Sequence, residues 1–114
     1  MSQFAVKVYP NGNTEVLPFT GDTLTLLQEA VGGWVETYQL DDNLTIWFNE
    51  EGKLKRLPFN QAATSLWMKH RGGTDFIVGI AVFTGATDDE GNSLGLDEAG
   101  VQKVRTFAEM SKID

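Results

Sequence analysis

The chain has 114 residues and 12.6 kDa, 41% hydrophobic, a length and apolar share that fit one domain with its own core. It has no cysteine, which excludes disulfides, thiolate catalysis and Cys-ligated zinc. Sixteen acids against nine Lys and Arg give a net charge of −7, a surface that repels phosphate backbones and disfavours nucleic acid as a partner.

Phe4 to Tyr9 alternates as a strand, with Phe4, Val6 and Val8 on one face. Pro10-Asn11-Gly12-Asn13 supplies a turn, and Thr14 to Phe19 returns as a second strand, with Pro18 marking a sheet edge because it has no N–H. Asp22 is placed to cap a first helix whose apolar positions are Leu24, Leu27, Ala30 and Val31, and Gly32-Gly33 ends it. Trp34 to Leu40 reads as a third strand, of undecided facing. The fourth has Leu44, Ile46 and Phe48 on its inner face and Thr45 and Trp47 opposite. Glu50-Glu51-Gly52 predicts a turn with positive φ at Gly52, followed by a fifth strand over Lys53 to Leu57, with Leu54 and Leu57 inward.

Asn60 caps a second helix with the stripe Phe59, Ala62, Ala63, Leu66 and Trp67, ended by Gly72-Gly73. Phe76 to Phe83 is apolar throughout and predicts a central strand covered on both faces, with Gly79 marking a bulge or a close approach. A polar loop over residues 84–96 leads to a last helix that starts near Asp97 and turns Val101, Val104, Phe107 and Ala108 inward. The predicted order β-β-α-β-β-β-α-β-α makes the fold a single α+β domain over residues 1–114, a mixed and largely antiparallel sheet with helices packed on it. The opening hairpin and helix resemble the start of a β-grasp fold.

Several blocks at particular spacings resemble one family. They are Leu27-Gln28 with Val31-Gly32-Gly33, Asn49-Glu50-Glu51-Gly52-Lys53-Leu54 with Leu57-Pro58-x-Asn60, Asp75-Phe76-Ile77-Val78-Gly79, and Asp89-Glu90-Gly91. The family comprises short proteins of bacteriophages, plasmids and bacteria catalogued as domain of unknown function 3846, and the similarity spans about residues 4–108. The resemblance implies a phage or mobile-element accessory protein working in the cytoplasm of a bacterial host cell. It carries no activity and no catalytic residue. Phe59 stands where a second proline is common in the family.

The residues offer little reactive chemistry. His70 is the sole histidine, so a metal site would need carboxylates, and Asp88-Asp89-Glu90-Gly91-Asn92 lacks the ligand spacing of a calcium loop. Ser65 and His70, five residues apart on a helix, do not face each other, and His70 is read as a cation near a helix C-terminus. No catalytic residue, metal or cofactor is assigned, and a non-enzymatic protein is expected. Residues 50–71 carry five bases, Lys53, Lys55, Arg56, Lys69 and Arg71, against Glu50 and Glu51. Read structurally, the 49–60 block is a turn and a helix cap. Read functionally, Asn49, Lys53, Arg56 and Asn60 converge on an anionic or amide-bearing ligand, with Trp47 or Trp67 as a stacking wall, Trp67 fitting the core stripe better. Two partner classes follow: a host or self protein bound through a charged face or an edge strand, and, as the alternative, a small nucleotide-like anion held by segment 50–71. Neither a membrane nor a nucleic acid is expected as partner.

Overall fold

Backbone alternation and capping residues build eight elements in the computed structural model, which describes residues 3–71 and 75–112. They are β1 (Phe4–Val8), β2 (Thr14–Pro18), α1 (Thr23–Val31), β3 (Val35–Asp41), β4 (Leu44–Asn49), α2 (Gln61–Arg71), β5 (Ala81–Thr84) and α3 (Glu98–Met110). The strands form one sheet in the order β2-β1-β5-β4-β3, with every pairing antiparallel. The α+β class and the opening hairpin and helix are as read from sequence. Among the described residues, no helix is long and apolar enough to cross a membrane.

Strand parity divides the core into two layers. Ala5 and Val82 face α1, where Phe19, Leu27, Ala30 and Val31 close over them. Val6, Val8, Ile46, Ala81 and Phe83 face α2 and α3, which contribute Ala62, Ala63, Leu66, Trp67, Val104 and Ala108. All four residues of β5 are buried because helices cover both of its faces. The facing of β3 is settled too: Leu40 packs with the α2 and α3 layer and Val35 with the α1 layer.

Helix termini follow the expected caps. The Asp22 carboxylate accepts from the Thr25 N–H (3.1 Å), and Asp97 accepts from Gly100 (2.7 Å). Gly32 takes the left-handed position at the end of α1, with φ 81°. The Gly72-Gly73 terminator expected for α2 lies outside the described residues.

Three expectations are corrected. Lys53 to Leu57 is not a strand. Both sides of β4 are already taken, by β3 and β5, so the segment closes on itself: Lys55 N–H donates to Glu51 O, Arg56 N–H to Lys53 O and Leu57 N–H to Gly52 O, at 2.9, 3.1 and 3.0 Å. Leu54 consequently points to solvent rather than inward. Second, the central strand is shorter than 76–83, because Gly79 turns the chain at φ 75° and only Ala81 to Thr84 pairs as a strand. A Cβ on Gly79 would sit 2.8 Å from Leu57 Cδ1, so this is the close approach that the glycine permits. Third, Phe59 leaves the α2 stripe. It forms an isolated bridge with Val78 and remains 53% exposed.

Asn60 joins these parts. Fully buried, its Oδ1 accepts from the Ala63 N–H (3.0 Å) to cap α2. Its Nδ2 donates to Val8 O and Gly79 O, both at 2.9 Å, and its own N–H donates to Ile77 O (2.9 Å). Asn60→Ala removes the cap and the donations to the Val8 and Gly79 carbonyls, so a loss of about 3 kcal/mol is expected by urea unfolding. Aspartate is ordinarily an equal cap. Here Asn60→Asp would press a carboxylate against two carbonyl oxygens, and it is expected to destabilise at least as much as alanine. An aspartate variant as stable as the native chain would refute this role.

Candidate functional site

The 49–60 segment leaves the sheet at the end of β4 and returns to it at α2, so its side chains fall into a buried set and an exposed set. Asn49 is buried. Its Nδ2 donates to Val31 O at the end of α1 (3.3 Å), and its Oδ1 accepts from the Glu51 N–H (2.8 Å). Asn60 is the buried cap described above. Trp47 lies on the α1 side of the sheet, with Nε1 donating to Thr84 Oγ1 (2.9 Å). Three of the five residues singled out in the sequence therefore spend their polar groups on the fold. Gly52 serves close approach rather than positive φ: a Cβ there would meet Val78 Cγ2 at 2.9 Å. The positive φ falls on Arg56 (58°), the one non-glycine in that region among the described residues, at a cost on the order of 1 kcal/mol.

Lys53 and Arg56 are exposed. Lys53 is engaged, ion-paired with Asp75 and stacked 4.4 Å from the centroid of the Phe76 ring. Lys55 lies 3.8 Å from Glu51. Much of the positive charge of this region is thus balanced locally. Beside these charged side chains the region also shows apolar groups to solvent. Leu54 is 81% exposed, and the rings of Phe59 and Phe76 lie 6.2 Å apart, 53% and 43% exposed. The sequence turns Leu54 inward and sets Phe59 on the α2 stripe, so neither is anticipated at the surface. The available signal was an apolar residue between two lysines just after a glycine turn, and a phenylalanine where the family commonly places proline.

A second feature, unseen in the sequence, is an open groove of about 1080 Å³ between α2, α3 and the 84–96 loop. Leu44, Leu66, Phe107 and Met110 form its apolar lining, and Lys69 and Lys103 contribute charge. His70 sits in its wall. Its Nδ1 lies 3.0 Å from Leu66 O, and its Nε2 lies 3.1 Å from Asp41 Oδ2. Both ring nitrogens are thus held against oxygen atoms of the fold. The Asp88 carboxylate is likewise occupied, accepting from Glu90 and Asn92 N–H groups at 2.9 and 2.8 Å. Among the described residues, no three His, Asp or Glu side chains assemble to hold a metal ion.

The Lys53 hydrogen bond, helped by the Phe76 N–H, holds the Asp75 carboxyl below the usual carboxylate range. Because the folded chain favours the charged form, its stabilising contribution is complete above about pH 4, the ordinary aspartate value. It is lost as pH falls through the lower folded value. Carboxyl NMR titration should show this low midpoint, and Lys53→Met should raise it toward the ordinary range. A midpoint unmoved by the substitution would mean that the pair is not formed in solution.

No curated protein and no solved structure matches the chain. A family model matches residues 2–110, nearly the full length. Its description, Domain of unknown function (DUF3846), names the family suggested by the Asn49–Asn60 block and its companions. The chain belongs to that family.

Proposed function

We propose that this is a non-enzymatic binding protein, a phage or mobile-element accessory factor that acts by associating with a host protein in the bacterial cytoplasm. The observation that carries the reading is the exposed Phe59–Phe76 ring pair, with Leu54, 81% exposed, on the same turn segment as Phe59. Aromatic and aliphatic anchors of this kind, rimmed by charge, supply most of the energy at protein interfaces. Lys53 already lies over Phe76, and Arg56 is held exposed in a strained backbone conformation. Both suit a rim that orients a partner. The setting in phages and mobile elements comes from the family resemblance.

The rival reading, a small anion held by segment 50–71, is weakened by the same geometry. Lys53 is neutralised by Asp75, Lys55 faces Glu51, and the amides of Asn49 and Asn60 are spent on the backbone. An enzyme is disfavoured by the engagement of both nitrogens of His70.

The test is capture from soluble bacterial extract with the native chain and with a Leu54→Ser/Phe76→Ser double variant, neither position being buried. One saturable partner, retained at least tenfold less by the variant, is the expected result. Equal retention by both proteins, or no saturable partner at micromolar concentration, would overturn the proposal.

A further inference from the structure

A sheet with two ends has two rows of backbone groups to protect. At the β2 end the strand is five residues long, Pro18 brings no N–H, and Arg105 Nε donates to Thr14 Oγ1 across the edge (3.3 Å). At the β3 end the strand is seven residues long and contains neither proline nor lysine, and Thr37, Tyr38 and Gln39 are exposed.

The ladder fixes which groups of β3 are open. The Glu50 N–H donates to Trp34 O (3.0 Å), and Val35 stands opposite Asn49. Trp34, Glu36 and Tyr38 therefore spend their N–H and C=O on β4, and Val35, Thr37 and Gln39 turn theirs outward. Beyond Gln39 the register shifts before Asp41, which ends the regular edge.

We propose that β3 pairs antiparallel with β3 of a second copy of this chain, joining two five-stranded sheets across a two-fold axis at Thr37. In that register Thr37 faces Thr37 of the second copy and Val35 faces its Gln39, each such pair exchanging two hydrogen bonds. Glu36 then lies opposite Tyr38 of the second copy, and Trp34 opposite its Leu40. No acid meets an acid: Asp41 falls opposite Gly33. Threonine pairs and aromatic–aliphatic pairs are favourable across antiparallel strands. The pairing also covers Trp34, which is 67% exposed in the single chain. Shifting the two-fold axis by one residue keeps the hydrogen-bonding parity, but an axis at Glu36 sets that carboxylate against its own copy, and an axis at Tyr38 carries the pairing past Gln39 into the register shift. The self-pairing is independent of the partner face at Leu54, Phe59 and Phe76, so the two readings fail separately.

Each copy carries −7, so the dimer should tighten as salt is raised from about 20 to about 300 mM, when the long-range repulsion is screened. Sedimentation velocity between about 1 and 500 µM is expected to show monomer passing to dimer. Thr37→Lys puts two cations opposite each other at the axis and is expected to weaken association at least tenfold, while Thr37→Ser retains it. Should the lysine variant fail to fold, the native chain decides. Amide exchange at Val35, Thr37 and Gln39 should slow with concentration, whereas Val16, outward on the β2 edge by the same reasoning from the Tyr9–Asn13 pair, should not. A monomer at every concentration overturns the proposal, even one that takes up a foreign strand. So does a dimer that is insensitive to Thr37→Lys or leaves the three edge amides exchanging freely.

Discussion

One buried amide side chain holds the centre of this molecule. Asn60 donates to carbonyls of β1 and of the Gly79 turn, accepts from the first turn of α2, and bonds through its own N–H to Ile77. Alanine has no group to offer, and aspartate has no donor. The consequence reaches past the helix cap. Gly79 sets the direction of β5, and β5 is the strand on which both core layers rest. Thr64 reinforces the same junction, its Oγ1 accepting from the Ile77 N–H (2.8 Å) and donating toward Ile77 O (3.3 Å). Among the described residues no buried side-chain polar atom is left without a partner, as a closed and specific core requires.

The sequence discloses what is local and conceals what is contested. Asp22, Asn60 and Asp97 announce their helices because a cap needs only its own first turn. Phe4, Val6 and Val8 announce a strand face because parity is a property of the strand alone. Lys53 to Leu57 misleads because strand formation also needs a vacant neighbour, and competition for the sides of β4 is decided by β3 and β5, far away in sequence. Gly79 was legible as a special position, but its carbonyl's bond to Asn60 was not. The site divides the same way. The block carrying the family likeness is readable as a unit, whereas the division of its asparagines inward and of Leu54, Phe59 and Phe76 outward depends on tertiary contacts. The groove between α2 and α3 had no sequence signal, since its lining comes from β4, two helices and a loop.

Charge shows why counting along a sequence and counting in space differ. Segment 50–71 is basic as a string, yet Asp75, from outside it, reaches Lys53, and Glu51 lies 3.8 Å from Lys55. Exposed pairs like these contribute little to stability. Their larger effect is on recognition. A lysine already matched to a carboxylate and seated on a ring offers less to a free phosphate, while its alkyl stem and the ring still present apolar area to a protein surface.

The segment bearing that area lies outside the sheet. Between Asn49 and Phe59 no residue pairs with a strand, and order comes from short-range backbone bonds, the Asn49 side chain and Leu57 lodged against Gly52 and Gly79. Such a segment can be held in shape while contributing little to the core, which lets its surface vary without unfolding the scaffold. The Glu50 N–H donates to Trp34 O, the residue just before β3, where the turn meets the start of the open edge. The strand edge is flat, regular and backbone-defined, and the turn is irregular and side-chain-defined. A backbone edge can match any strand in register, including its own copy, whereas side chains on a turn can discriminate among surfaces. On the two proposals above, a general mode of association on the strand edge lies apart from a selective one on the turn, with the Glu50–Trp34 hydrogen bond at their border.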